Sequence, residues 1–297
     1  MPQQGLLSQR FSHFSMGTTF EIILAESNPE YALQVSQAVF SEIDHLEALF
    51  NRFDPCSEIS MINRLQFGQS LSISVDVYDC LKTAFFVQGQ THGAFDINYA
   101  VSSQIHSEWK KKSVVLRKSK NEFLVEYAKN PLEHTKSGME LDLGGIGKGF
   151  ALDKALDILH DWSIDNALLH GGTSTAVAIG DAPEINQGEK GWPLGVGGNW
   201  PILKEFRFFL NFRALSGSGT EVKGEHIINP KTGRKASGHL GAWVSHSSAA
   251  VADALSTAFL VMDPPEVKAY CEMFPETWAL VLIDQNHFDV YNKVLEK

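Results

Sequence analysis

A run of short strand-like segments separated by glycine turns, between residues 166 and 219, constrains the fold more than any other feature of the chain. The segments are rich in aliphatic, β-branched and aromatic residues, and they read NALLHGG, TAVAIG, PLGVGG and FRFFLNFRALSGSG. Glycine turns of this kind separate neighbouring strands. Because the strands follow no strict alternation with helices, we expect an α+β fold with largely antiparallel sheets.

Helical periodicity flanks this strand-rich region. Apolar residues recur at helical spacing within residues 29–53, 74–93, 150–159 and 249–262, and TTFEIILA alternates as a strand before the first of these segments. The residues after 93 predict a hairpin or meander, and TWALVLID with HFDVYN predicts a closing hairpin. No repeat or linker divides the chain, so we expect a single domain over residues 1–297 with helices packed on the sheets.

Composition argues against several classes of partner. The chain has 35 acidic and 25 basic residues, a net charge of −10, which does not favour nucleic acid or an anionic membrane. No apolar stretch reaches the roughly 18 residues of a membrane helix, so we expect no direct membrane insertion. The first residues lack a signal-peptide pattern. We therefore expect a cytoplasmic protein as given, or a periplasmic or membrane-anchored one if an export signal has been removed.

The segment LDLGGIGKGFALD, residues 141–153, carries the most chemistry. LDL reads as the end of a strand and FALDKALDIL as the start of a helix, which places GGIGKG at a strand-to-helix turn. Glycines at such a turn let backbone N–H groups surround an anion, and Lys148 could neutralise a phosphate. The spacing matches neither GxGxxG nor GxxxxGK[ST]. An ordinary tight turn with a solvated lysine accounts for the same residues.

A second candidate feature lies in the segment VADALSTAF. Asp253 and Thr257 are four residues apart, so a carboxylate and a hydroxyl share one face of a helix. Both are oxygen ligands of the kind that Mg²⁺ takes in proteins, together with phosphates and water. The alternative is a solvated aspartate beside a threonine bonded to its own backbone. The neighbouring residues are mostly apolar, and a carboxylate buried there is costly unless it is paired or metal-bound.

Further polar residues are compatible with either function or turn chemistry. His226 begins the segment HIINPKTG, which reads as a strand running into an Asn-Pro turn. Asp96 follows Phe95 in GAFD, where the aromatic ring could pack on a flat ligand and the carboxylate could accept its N–H. A core phenylalanine and a capping aspartate explain the same pair.

The order of these segments, rather than any one of them, resembles a known family. From residue 16 to about residue 262 the chain reads MGTTFEI, SEISMINR, GAFD, LDLGGIGKGFALD, HGG, SGSG, HIINPKTG and ADALSTA. This series resembles the ApbE family of FAD:protein FMN transferases. The resemblance implies an ApbE-like, T-fold-like domain. It also implies an enzyme that uses FAD and Mg²⁺ to attach FMN to a threonine or serine hydroxyl of a target redox protein, with release of AMP.

The resemblance also implies roles for individual residues. Contacts to the flavin or adenine would come from Met16, Ala94, Phe95 and Asp96, and further FAD contacts from Asp142 and Lys148. The Mg²⁺ ligands would be the main-chain carbonyl of Gly145 and the side chains of Asp253 and Thr257. His226 and Ile228 would line the cofactor pocket, with His226 near the pyrophosphate. We assign catalytic roles to Lys148, which neutralises charge, and to His226, which takes the proton of the acceptor hydroxyl.

Some positions depart from the pattern of the family. Gly217 replaces a hydroxyl residue and Thr220 an acidic one, Asn229 stands where aspartate is usual, and Thr173 follows the Gly-Gly pair where Asp or Asn is common. These changes bear on acceptor recognition and transfer rate. Two alternatives to the transferase therefore stay open: an FAD pyrophosphatase that makes FMN and AMP, and a flavin-binding protein with impaired catalysis.

Overall fold

The glycine-punctuated segments NALLHGG, TAVAIG and RALSGSG supply central strands of an eight-stranded antiparallel sheet, whereas PLGVGG and FRFFL pair with each other in a separate two-stranded sheet. Its strand order is β1-β2-β8-β9-β12-β15-β16-β17. The structure, a computed structural model, describes residues 8–100, 114–120, 122–127, 139–183, 190–198, 200–219, 228–230, 234–236 and 239–292. The strands of this sheet are β1 Ser8–Ser15, β2 Thr18–Ala25, β8 Ala167–Gly171, β9 Thr175–Ile179, β12 Arg213–Gly219, β15 Gly241–His246, β16 Trp278–Asp284 and β17 His287–Tyr291.

Smaller antiparallel sheets surround the main one. β3 Ser70–Ile73, β5 Val114–Lys118 and β6 Phe123–Tyr127 form a three-stranded sheet. The two-stranded pairs are β4 Asn98–Ala100 with β7 Met139–Leu141, β10 Trp192–Gly195 with β11 Arg207–Leu210, and β13 Ile228–Asn229 with β14 Arg234–Lys235.

The α-helices of the described residues are α1 Pro29–Phe50, α2 Glu58–Arg64, α3 Val75–Gln90, α4 Gly147–Asp161, α5 Ala249–Phe259 and α6 Pro264–Met273. Apart from α4, they begin at residues whose side chains cap them. Asn28, Ser57 and Ser74 accept backbone N–H groups at the starts of α1, α2 and α3. No helix within the described parts of the chain is long and apolar enough to cross a bilayer.

The main sheet separates two hydrophobic cores. In β16, Ala279 and Val281 belong to the large core, which also contains buried residues of α1, α3, α4 and α5. Trp278, Leu280 and Leu282 alternate with them and join a smaller core on the opposite face, under β10 and β11. The period of two along the strand decides which side chain enters which core.

The structure confirms the α+β class with antiparallel sheets and the main predicted elements. The segment FRFFLNFRALSGSG is divided, however, by a turn at Phe212, whose φ is 51°. The elements that were not predicted include β1, β3, β14, β15 and α6. β1 reads SQRFSHFS, in which serine and histidine dilute the alternation that indicates a strand. α6 is short and begins with two prolines, and its fold depends on the capping box between Asp263 and Glu266.

Candidate functional site

The glycine loop lies at the predicted strand-to-helix turn, between the end of β7 at Leu141 and the start of α4 at Gly147. Asp142 anchors its first half, because Oδ1 accepts the Gly144 N–H at 2.8 Å and Oδ2 lies 3.0 Å from Nε of Arg52. The N–H groups of Ile146 and Gly147 donate to Leu143 O. These donors are already used within the protein. The loop therefore offers an anion less backbone capacity than its glycine content predicts.

Asp253 on α5 is the centre of the site. It is only 3% exposed, and its carboxylate is surrounded by donors from three other elements. Oδ2 lies 3.1 Å from Nζ of Lys148 and accepts the Gly149 N–H at 3.2 Å. Oδ1 accepts the hydroxyls of Ser216 at 3.1 Å and Thr175 at 3.2 Å. The predicted need for a partner is met by Lys148, whose ammonium neutralises the buried charge.

Thr257 lies one helical turn beyond Asp253 and faces the glycine loop. Its Oγ1 donates to the main-chain oxygen of Asp253 at 3.3 Å and lies 3.3 Å from Ser218 Oγ. A Cβ atom added at Gly145 would lie 3.6 Å from Thr257 Oγ1 and 3.3 Å from Cε2 of Phe95. Gly145 therefore packs directly against both side chains, and the structure brings together the three residues that the resemblance names as metal ligands.

The other residues expected to bind FAD lie in different surroundings. Ala94 and Phe95 are almost fully buried, and Phe95 reaches the site through its contact with Gly145. The Asp96 carboxylate accepts the backbone and side-chain N–H groups of Asn98, each at 2.9 Å. Met16 is partly buried in the turn between β1 and β2, with φ at 51°.

Two further expected site residues are His226 and Ile228. His226 lies outside the described residues, so its catalytic assignment stays a prediction. Ile228 begins β13, where its backbone pairs with Lys235.

The structure adds residues that sequence reasoning missed. Ser216 and Ser218 lie on one face of β12, and Ser218 Oγ is 2.9 Å from Ser256 Oγ on α5. The alternation in SGSG was a signal for this face, since residues two apart in a strand point the same way. Thr175 is the first residue of β9, and nothing in the local sequence distinguishes it. Arg52, which binds Asp142, also lies over the Phe53 ring, with Cζ 4.2 Å from its centroid.

One departure from the family has a structural explanation. A Cβ atom at Gly217 would lie 2.6 Å from Cδ1 and Nε1 of Trp243 on β15. The indole therefore occupies the space that a side chain at position 217 would need, where the resemblance leads us to expect a hydroxyl-bearing residue. Thr173 lies in the turn between β8 and β9, and Asn229 pairs with Arg234 in the β13–β14 hairpin. Thr220 lies outside the described residues.

A metal ion at this site would have one carboxylate and several neutral oxygens around it. Among the described residues, no group of three or more His, Cys, Asp or Glu side chains could hold a metal ion. The Mg²⁺ expectation therefore depends on the single carboxylate of Asp253, the Thr257 hydroxyl and main-chain oxygens.

Comparisons with known proteins identify the family of the chain and proteins of similar fold. The ApbE family model matches residues 16–281. The curated FAD:protein FMN transferase of Buchnera aphidicola subsp. Schizaphis graminum is 23% identical over 260 residues, which cover 77% of this chain and 73% of that protein. The crystal structure of the ApbE protein from Thermotoga maritima has a TM-score of 0.77 at 22% identity, covering 96% of this chain and 97% of that one. Flavin transferase ApbE from Vibrio cholerae has a TM-score of 0.75 at 19% identity, covering 97% and 98%. This chain belongs to the ApbE family.

Proposed function

We propose that this protein is an FAD:protein FMN transferase, which moves FMN from FAD to a threonine or serine hydroxyl of a flavin-acceptor redox protein and releases AMP. The family membership and the curated relatives of that name support the reaction class. One observation links the proposed reaction to particular residues: the buried Asp253 carboxylate lies beside Lys148 and one helical turn from Thr257.

The donor set fits Mg²⁺. Asp253 supplies a carboxylate and Thr257 a hydroxyl, and Gly145 packs close enough to Thr257 for its main-chain carbonyl to belong to the same site. Mg²⁺ usually binds through one or two carboxylates, and the substrate phosphates and water complete its coordination. A bound Mg²⁺ would stabilise the negative charge that develops on the phosphate oxygens.

The residues of this chain bind and orient the substrate in the proposed reaction. Lys148 is part-buried on a flexible stem, and its ammonium can bind a pyrophosphate oxygen as well as Asp253. Phe95 and Asp142 hold the two sides of the glycine loop, through the contact with Gly145 and the bond to Gly144. Rigid positioning of this kind contributes most of the catalysis in phosphoryl transfer.

The transfer balances as a single displacement at phosphorus. The acceptor oxygen forms a bond to the FMN-side phosphorus, and the bond from that phosphorus to the bridging oxygen of AMP breaks. AMP leaves with the bond's electron pair. We assign the proton of the acceptor hydroxyl to His226, a side-chain type whose ordinary pKa suits a general base near neutral pH.

The test is an incubation of the protein with FAD and MgCl2, with and without a threonine-containing domain of a redox protein. We expect mass spectrometry to show one FMN on the acceptor and chromatography to show an equal amount of AMP. FMN and AMP without a modified acceptor would instead support a pyrophosphatase, and intact FAD would support a flavin-binding protein.

A pair of variants connects the activity to the site. Asp253→Asn keeps the side-chain shape but removes the charge, so we expect Mg²⁺-dependent turnover to be abolished. Asp157→Asn, at an exposed position of α4, makes the same chemical change on the surface and should retain wild-type turnover. Undiminished turnover of Asp253→Asn would remove the metal assignment.

A further inference from the structure

The carboxylate of Asp153 on α4 binds the N-terminus of α5. Its Oδ1 accepts the Ala249 N–H at 2.6 Å, and its Oδ2 accepts the Ser248 hydroxyl at 2.7 Å and the Ala250 N–H at 3.0 Å. The first N–H groups of a helix have no acceptor within the helix, and the helix dipole favours a negative charge there. Asp153 therefore supplies acceptors that α5 cannot provide for itself.

Asp153 differs from a surface capping residue because it lies between two packed helices. Burial raises the pKa of Asp153, and the bonds from Ala250, Ser248 and Ala249 oppose that rise. A cap does not require such burial: Asp263 caps α6 from an exposed position, with its Oδ1 2.9 Å from the Glu266 N. Burying the Asp153 carboxylate costs desolvation free energy, and its hydrogen bonds to the N-terminus of α5 offset that cost.

The same two helices also meet at the ion pair. Gly149, one turn before Asp153, donates its N–H to Asp253 Oδ2 at 3.2 Å. Gly149 also lies against the Ala249 backbone so closely that a Cβ atom would overlap the Ala249 carbonyl group. Its N–H is in the first turn of α4, before intrahelical bonding begins. Exchange of this hydrogen with solvent therefore reports directly on the position of the Asp253 carboxylate.

We propose that Asp153 is a positioning residue for Asp253. By holding the first turn of α5 against α4, it sets where the Asp253 carboxylate lies relative to Lys148 and the Gly149 N–H. Asp153 itself bonds to Ser248, Ala249 and Ala250, and it acts on the site only through the helix. The consequence for Mg²⁺ rests on the proposed function, whereas the placement of Asp253 does not.

The test compares Asp153→Asn with Asp263→Asn, which makes the same change at the cap of a helix that carries no site residue. Each variant loses a charged acceptor, so we expect both to lower the unfolding temperature. Only Asp153→Asn should speed hydrogen exchange at Gly149, by about tenfold, which corresponds to about 1.4 kcal/mol. Wild-type exchange at Gly149 in Asp153→Asn would overturn the proposal and leave Asp153 as a stabilising cap.

The dependence of FAD binding on Mg²⁺ provides a second measurement, which does not require turnover. We measure the rise in unfolding temperature that FAD causes at increasing MgCl2, since a ligand of the folded state stabilises it by mass action. Asp153→Asn should need about tenfold more Mg²⁺ than wild type, whereas Asp263→Asn should need the same amount. An equal Mg²⁺ requirement in all three proteins would count against the proposal.

A milder variant keeps the test decisive if Asp153→Asn does not fold. Ser248→Gly removes one of the three bonds to Asp153, together with the bond from the Val251 N–H to Ser248 Oγ, and it introduces a residue that helix N-caps accept at a cost of a few tenths of a kcal/mol. A smaller increase in Gly149 exchange is expected, and no increase would overturn the proposal. A wild-type protein that binds FAD equally with and without Mg²⁺ would contradict the proposed metal site, while Gly149 exchange would still decide the role of Asp153.

Discussion

Lys148 and Asp253 form the part-buried ion pair on which the candidate site depends. Their side chains are 19% and 5% exposed, and Asp253 also accepts bonds from Gly149, Thr175 and Ser216. A carboxylate in such a position is stable only while these partners remain. The pair thus places a negative charge at a defined point and holds a cation beside it.

Replacing Lys148 by Met removes the cation and keeps most of the side-chain volume. We expect a loss of about 2 kcal/mol in the free energy of unfolding, because Asp253 keeps its neutral donors but loses its countercharge. FAD binding should also weaken, as measured by titration of the flavin fluorescence. Lys268→Met, at an exposed position of α6, provides the control. Unchanged FAD affinity in Lys148→Met would contradict the role of this lysine.

At the scale of elements, the contact between α4 and α5 determines the geometry of the site. α4 contributes Lys148 and Gly149, and α5 contributes Asp253 and Thr257. The two helices approach so closely at Gly149 that no side chain fits between it and Ala249. A glycine in a helix costs stability by itself, so its presence here has a packing reason.

Substitution of this glycine should separate the helices. We expect Gly149→Ala to lower the free energy of unfolding by about 2 to 3 kcal/mol, since overpacking a well-packed contact forces the backbone to move. Gly147→Ala is the matched control, because its Cβ atom would lie 3.6 Å from Phe50 Cδ2, an ordinary contact. The control should change stability by less than about 1 kcal/mol. Urea unfolding measures the free energy of unfolding of both variants. Equal losses in the two variants would show that the close contact between Gly149 and Ala249 does not restrict the side chain at position 149.

For the whole molecule, the main sheet separates two cores, and part-buried histidines on that sheet couple its stability to pH. Burial lowers the pKa of His170 on β8 and of His246 on β15 below the ordinary value. As the pH falls, these two histidines therefore take up protons at a higher pH in the unfolded chain than in the folded protein. The stability that these neutral imidazoles contribute is present above their unfolded pKa of 6.5 and is lost as the pH falls through the lower, folded values.

His246→Asn tests this coupling, because asparagine can replace the acceptor that His246 Nδ1 offers to the Ser248 N–H at 3.0 Å. The wild-type unfolding temperature should fall between about pH 7.5 and about pH 5.5, and the variant should fall by less. His287→Asn, on an exposed part of β17, controls for the substitution itself. If the unfolding temperatures of His246→Asn and the wild type fall equally over this pH range, His246 is not a source of the pH dependence.

Features local in sequence could be predicted. The i, i+4 relation of Asp253 and Thr257, and the glycine turn between a strand and a helix, both follow from the regular geometry of their elements. Features that depend on distant residues could not. Thr175 and Ser216 reach Asp253 from 78 and 37 residues away along the chain. The SGSG alternation places Ser216 on one face of β12, but no local pattern shows that either residue contacts Asp253.

The sequence by itself determined the α+β class, the helix faces and the family pattern, because hydrophobic periodicity and turn residues act over a few positions. Only the tertiary structure decided that Lys148 pairs with Asp253, that Asp153 holds the start of α5 and that Trp243 covers Gly217. Each of these contacts joins elements far apart in the chain. Their geometry depends on how the helices pack against the sheet and each other, which short-range patterns do not encode.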